Sequence, residues 1–209
     1  MPKRQQMILL YGPPASGKDT ITQALHERDD RYCLFPRIKY GPGRTATYRM
    51  VTAKQLEVIR SKSGEVLWEN RRYGATYIVD RSHLAAMLTH SLIPVIHIGQ
   101  AGAIPPITAA LPEVQPLIVA LTCPRPIAQA RLEARRTGDT HDRLIAYDAT
   151  DRLTGADLTI DTGIITPGQA AQQIAHLCRA PRHAGVPVPM HHRASGVDTS
   201  RTTRTARIL

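Results

Sequence analysis

Apolar residues in this chain fall into short runs separated by glycine and proline, and the runs alternate in character. Residues 7–11 are unbroken apolar and are stopped by Gly12-Pro13-Pro14, which predicts a strand buried on both faces. From Lys18 to Arg28 the apolar positions Ile21, Ala24 and Leu25 take helical spacing, so the opening unit reads strand, glycine loop, helix. Between 33 and 51, Pro36, Gly41, Pro42 and Gly43 interrupt extended pieces. Leu56 and Ile59 predict a helix over 53–63 with Gly64 as its stop. Short strands over 65–68 and 76–79, a helix over 83–90 and a strand over 93–98 follow. The pattern continues with a weaker helix over 104–111, a strand over 117–121 ended by Pro124, and a helix over 127–136. A last strand spans 158–161, and Pro167 in a first helical turn opens a helix to about 179.

Alternating strands and helices make an α/β fold the economical architecture, a mostly parallel sheet flanked by helices. The stretch from about 35 to 80 breaks the alternation with short strands and reads as an inserted lobe. A chain of 209 residues can bury one domain's core without disulfides or metals, and the domain is expected over 5–180. Residues 181–209 have little apolar periodicity, are rich in Pro, Thr, Ser and His, and carry five arginines against Asp198 alone. They read as a disordered basic tail.

Composition narrows the partners. A net charge of +10 calls for an anionic partner, and most of that excess lies outside the tail. Aromatics at 4% are too few for a base-stacking sheet, so nucleic acid is not the expected partner. No apolar run reaches the ~18 residues that span a membrane, and the apolar stretch near the start is too short for a signal-peptide core. Cys33, Cys123 and Cys178 are far apart and form no CxxC, which suggests neither zinc nor a disulfide framework and points to a reducing cytoplasm. Nothing separates a monomer from a homodimer.

The chemistry is densest at Gly12-Pro13-Pro14-Ala15-Ser16-Gly17-Lys18-Asp19-Thr20, which fits GxxxxGK between the first strand and the first helix. The backbone N–H groups from Gly12 onward in such a loop point inward and cradle phosphate oxygens, and the helix that follows adds its positive end. Lys18 can reach the outer phosphates and a hydroxyl can hold Mg²⁺. Here Asp19 follows the lysine and the hydroxyl comes one place later, at Thr20. Two roles for Asp19 stay open: facing solvent, or acting through a water on Mg²⁺.

A loop with its threonine displaced by one is similar to those of P-loop nucleoside monophosphate kinases. Over residues 5 to 180 the chain resembles the guanylate kinase group, which also takes in a phosphonate-pathway ribose bisphosphate kinase. The resemblance implies a P-loop kinase fold with a small acceptor-binding lobe over 35–80 and a short arginine-bearing lid over 131–145. It implies ATP and Mg²⁺ as cofactors, with Pro13, Ala15, Ser16, Gly17, Lys18, Asp19 and Thr20 around the donor and Thr20 on the metal. For the acceptor it points to Arg37, Lys39, Arg44 and Tyr48, cations and a phenol that also suit an anion by their own chemistry. Gly64-Glu65-Val66-Leu67-Trp68-Glu69 resembles GEF-aliphatic-E, whose last glutamate reads guanine; Trp68 holds that slot and Glu69 stands one later. Tyr77, in Tyr73-Gly74-Ala75-Thr76-Tyr77, aligns with a phosphate-contacting tyrosine. At the third core strand, Asp-x-Asp-Val-Gln-Gly is replaced by a stretch with His97 and Gln100 and no aspartate, which argues against ordinary GMP as acceptor. The lid resemblance rests on Arg131-Leu132-Glu133-Ala134-Arg135-Arg136-Thr137-Gly138-Asp139 and Arg143-Leu144. Arg131 and Arg135 are four apart and would share a helix face; with Arg143 they would stabilise charge on a phosphoryl group in transfer.

The expectation is therefore an ATP:Mg²⁺-dependent phosphotransferase acting on a nucleoside monophosphate or related small phosphorylated acceptor. A sugar phosphate or other hydroxyl acceptor is the alternative, and it would need a base, for which Asp80 is the candidate. A catalytically silent interaction module and a nucleic-acid end kinase are the other readings. Asp157 and Asp161 read as turn and cap residues near the last strand.

Overall fold

The structure is a computed structural model that describes residues 4–179. The tail expected from 181 onward lies outside the described residues. A five-stranded parallel sheet forms the body, in the order β2 (Tyr32–Leu34), β7 (Ile93–Ile98), β1 (Gln6–Tyr11), β8 (Gln115–Thr122) and β9 (Leu158–Asp161). β1 is central, which explains its unbroken apolar run: Met7, Ile8, Leu9 and Leu10 are all fully buried. Strand alternation sends them to two cores. Met7, Leu9 and Tyr11 pack with Leu84, Ile96, Ile98 and Ile107 on one face. Ile8 and Leu10 meet Ile21, Leu25, Val95, Val119 and Ile174 on the other.

Helices α1 (Lys18–Arg28) and α7 (Pro167–Arg179) supply the second of these cores, and α3 (Arg81–Thr89) and α4 (Ile104–Ala109) the first. A second sheet, ordered β4 (Arg49–Met50), β3 (Ile38–Tyr40), β6 (Ala75–Asp80) and β5 (Val66–Arg72), is built within residues 38–80. Its strands β3, β6 and β5 are antiparallel neighbours. Helix α2 (Ala53–Ser61) covers one face of it through Leu56, which packs on Ile38 and Ile78. Thr52 and Gln55 close a capping box that starts this helix.

Boundaries differ from the sequence expectation where side chains rather than periodicity decide them. α3 begins at Arg81 because the Asp80 carboxylate accepts from the His83 amide at 3.2 Å. α5 spans Arg125–Ala134 and so starts and ends two residues earlier than the apolar spacing suggested. α6 (Thr140–Asp148) has no counterpart in the sequence expectation, because it buries only Ala146 and shows almost no apolar stripe. β5 and β6 form a hairpin through Tyr73-Gly74, both with positive φ (53° and 67°), the backbone a two-residue turn of this twist requires.

The chain leaves β1 toward the β2–β7 side and later returns to pair β8 on the opposite side of β1. Such a reversal opens a crevice at the carboxyl ends of the strands. Leu9, fully buried under that crevice, has little room to be replaced; Leu9→Ala is expected to cost about 2–5 kcal/mol of unfolding free energy in urea titrations.

Candidate functional site

β1 runs directly into the crevice loop. The Gly12 amide donates to the Ile98 carbonyl at the end of β7 (3.1 Å), fixing where the loop starts. No side chain fits at position 12: a Cβ would meet Ser16 Oγ at 2.7 Å and the Leu121 carbonyl oxygen at 2.8 Å. Gly17 takes φ +85° and opens α1 with no side-chain cap. The first-turn amides of α1 therefore stay available at the positive end of the helix.

The loop is clipped from beneath. Arg131 on α5 donates from Nη1 to the Ala15 carbonyl and to the Thr162 hydroxyl, each at 3.1 Å, and from Nη2 to the Thr162 carbonyl at 2.7 Å. Thr162 is in turn bonded to the Thr122 carbonyl through both its amide (2.9 Å) and its hydroxyl (3.1 Å). Arg131 thus ties the loop to the ends of β8 and β9. It does not share the cavity wall with Arg135, which corrects the expectation that both lie over a phosphate. Arg131 belongs to the last turn of α5, whereas Arg135 stands at its C-terminal cap.

Lys18 folds back over the loop. Its ammonium donates to the carbonyls of Gly12 (2.6 Å) and Pro13 (2.8 Å) and to Ser16 Oγ (3.3 Å). Burial, with Arg37, Arg135 and Arg143 adding repulsion and Asp19 opposing them, holds its pKa down to about 7. Asp19 faces the same cavity and is held by two partners. Oδ2 accepts from Arg44 Nη1 at 3.0 Å, and Oδ1 lies 3.5 Å from His97 Nδ1. Burial raises the Asp19 pKa, but His97 and Arg44 outweigh it and leave the carboxyl below its ordinary value. Burial drives the His97 pKa down; Lys18, Arg37 and Arg44 reinforce that, and Asp19 opposes it.

The opposite wall comes from the second sheet. Arg37 and Lys39 are two residues apart, and Lys39 pairs with Tyr77 across β3 and β6, so all three reach the same face. Lys39 is 1% exposed; its Nζ donates to the Arg44 carbonyl at 2.7 Å and lies 5.4 Å from the Tyr48 ring and 5.6 Å from the Tyr77 ring. The Arg37 guanidinium sits 5.1 Å from the Tyr77 ring and 5.8 Å from that of Tyr48. Burial, and then Arg143, lower the Lys39 pKa. Phosphate-loop and lobe residues line one cavity of about 380 Å³.

Gly12, Ala15, Ser16, Gly17, Lys18, Asp19, Arg37, Lys39, Arg44, Tyr48, Tyr77, His97, Gln100, Arg135 and Arg143 all stand in its wall. Pro13 does not, and contributes only its carbonyl to Lys18. Thr20 is exposed and also outside the wall, one helical step past Asp19, so the position facing the cavity after Lys18 carries a carboxylate. Glu69 is turned away as well. Alternation along β5 puts Trp68, Asn70 and Arg72 on the cavity face, and Glu69 on the other, where Arg60 of α2 grips it. Asp80 is spent on structure: it is buried, pairs with Arg49 and caps α3. Asp157 accepts from the Ile118 amide (2.7 Å) and Asp161 from the Gly163 amide (2.8 Å), as turn residues do.

Several wall residues were not read from the sequence. Trp68, Asn70 and Arg72 share the two-residue spacing of a strand face, and that spacing was the available signal. Tyr73, at the tip of the hairpin, meets the Arg143 guanidinium at 5.3 Å from its ring. Arg143 also donates to Asp139 Oδ2 at 2.6 Å. Cys33, Cys123 and Cys178 form no disulfide among the described residues, where no group of three or more His, Cys, Asp or Glu is placed to hold a metal ion by itself. Among the described residues no helix is long and apolar enough to cross a membrane.

No protein-family model and no curated protein sequence matches the chain. Solved structures do. Guanylate kinase from Anaplasma phagocytophilum superposes with a TM-score of 0.53 at 16% identity, over 85% of this chain and 86% of that one. A protein from Chloroflexus aurantiacus, solved as a candidate kinase, reaches a TM-score of 0.46 at 14% identity over 85% and 97%. At such identities the likeness speaks for the fold alone, and its content is specific: this chain has the α/β architecture of guanylate kinase-like P-loop folds, a five-stranded parallel sheet flanked by helices.

Proposed function

We propose that the protein transfers the γ-phosphate of ATP, with Mg²⁺ or a similar divalent ion, to a small phosphorylated acceptor such as a nucleoside monophosphate. One observation carries this reading: a phosphate loop with its lysine and a cation cluster built around the buried Lys39 face each other across a single cavity. The uncapped first turn of α1, the close approach at Gly12 and the ammonium of Lys18 fit a triphosphate. For the metal, the Asp19 carboxylate fits the position after the lysine and the Thr20 hydroxyl does not, because Thr20 is turned out of the cavity.

Each residue then has a defined task. The loop amides and Lys18 fix the donor's outer phosphates. Arg37, Lys39, Tyr48 and Tyr77 hold the acceptor's phosphate opposite them, so that one of its oxygens faces the transferable group. That oxygen is already anionic and needs no general base, which agrees with the engagement of Asp80 elsewhere. Arg135 and Arg143 reach the cavity from the end of α5 and from α6 and stabilise charge that spreads over the group in transfer. A divalent ion, when bound, neutralises phosphate oxygens during that step. Trp68 and Asn70, rather than a carboxylate, face the far end of the acceptor space, and this disfavours guanine.

Four measurements test the reading. With a panel of nucleotides and sugar phosphates, ATP consumption by the intact chain is expected with at least one acceptor, and none with any would sink the proposal. Lys39→Met is expected to raise the acceptor KM about 10- to 100-fold, with a much smaller change for ATP, since it removes a charge-assisted hydrogen bond. Arg143→Ala is expected to lower kcat, whereas Arg131→Ala should lower the unfolding midpoint and weaken nucleotide binding through the loop it clips. The depressed Lys18 pKa fixes the sign of a fourth effect. Phosphate anions return the ammonium to its ordinary range, so nucleotide binding at pH 8 should take up about one proton by calorimetry in paired buffers. At pH 6 the lysine is already charged and this uptake should vanish, as it should at any pH in Lys18→Ala.

A further inference from the structure

Resting on the phosphotransferase reading, we propose that the Asp19 carboxylate and the His97 imidazole together ligate the divalent cation that accompanies the donor nucleotide. They would replace the hydroxyl that this kind of loop ordinarily supplies. The argument begins with Thr22. Its hydroxyl donates to the Lys18 carbonyl at 2.9 Å, one turn back along α1, and also lies 2.7 Å from His97 Nε2. A hydroxyl has a single proton; when that proton goes to the Lys18 carbonyl, the 2.7 Å bond to Nε2 has the imidazole as donor. Nδ1 is then the nitrogen with the lone pair, and it points at Asp19 Oδ1, 3.5 Å away. The other Asp19 oxygen is committed to Arg44 at 3.0 Å, so Oδ1 is the one presented.

In the other tautomer Nδ1–H donates to Asp19; in this one a cation between the two atoms takes that proton's place. Two ligands each about 2.1 Å from one ion stand about 3 to 3.5 Å apart at octahedral to tetrahedral angles, which matches the Asp19–His97 spacing. Thr22 and the Lys18 carbonyl supply the outer hydrogen bond that ligating histidines characteristically have on their second nitrogen. Both residues stand in the wall of the cavity that holds the phosphate loop, and Asp19 follows Lys18 directly. The pair provides two ligands only, so the remaining positions fall to phosphate oxygens and water. The nearby cations Lys18, Arg37 and Arg44 oppose a further positive charge until the phosphates arrive, which makes the ion's binding dependent on nucleotide. A mixed imidazole and carboxylate set favours Mn²⁺ or a later transition ion over Mg²⁺, whose preference is for oxygen.

The experiment uses the full chain with ¹⁵N-labelled histidine, Mn²⁺ and ADP, read by electron spin echo modulation and by Mn²⁺ titration. We expect ¹⁵N coupling to the manganese in the native protein, lost in His97→Ala. Mn²⁺ affinity of the nucleotide complex should fall at least tenfold in His97→Ala and in Asp19→Asn. Thr22→Val, which leaves both ligands in place, should lower it by about 10- to 100-fold through loss of the outer hydrogen bond. Nucleotide and Mn²⁺ bound together with no histidine coupling would overturn the metal assignment and leave Asp19–His97 as an ion pair, with the phosphotransferase reading intact. Failure of the nucleotide to bind at all would instead overturn that reading, and this site with it.

Discussion

Seven cationic side chains, Lys18, Arg37, Lys39, Arg44, Arg72, Arg135 and Arg143, converge on one cavity whose wall offers only Asp19, Asp139 and Asp142 in return. Two of those acids are already engaged, Asp19 by Arg44 and Asp139 by Arg143. Burial first, and then like charges brought together at low dielectric, depress the pKa values of Lys18 and Lys39. The fold holds the arrangement because its two sheets are built on apolar faces that point away from the cavity. A polyanion placed among these cations would relieve their repulsion, which is why the proposed reading assigns the cavity to phosphates.

Well-packed and sparsely packed parts divide along this line. The phosphate loop grows out of the most deeply buried strand and is clipped by Arg131 to the ends of β8 and β9. Lys39, Tyr48 and Tyr77 belong to a second sheet with its own small core of Ile38, Leu56 and Ile78. Arg135 and Arg143 stand instead on the end of α5 and on α6, a helix with one buried residue. Arg143 reaches the lobe through the Tyr73 ring at the tip of the β5–β6 hairpin. The groups proposed to bind are thus set in well-packed elements, and those proposed to stabilise charge in transfer sit on an element with little burial to hold it.

Much of this was legible along the chain. The apolar run over 7–11 announced a central strand because a strand buried on both faces has no polar positions to show. The loop was legible because cradling phosphate demands glycines at fixed places and a lysine between loop and helix. Local geometry sufficed for Arg37 and Lys39 too, since two residues apart on a strand share a face. The same rule, applied to Trp68, Asn70 and Arg72, would have found the far side of the cavity and excluded Glu69.

The sequence by itself determined the alternation of strands and helices, the phosphate loop and the basic lobe, because each depends on contacts between near neighbours. Tertiary structure decided which cations face the cavity. Arg131 and Arg135 lie four apart, yet one is pinned beneath the loop by Ala15 and Thr162 and the other faces the cavity. It also brought His97 of β7 beside Asp19 and Thr22 of α1, a meeting across 75 residues that parallel pairing of β1 with β7 creates. No local pattern encodes such a meeting, because it exists only once the sheet has closed.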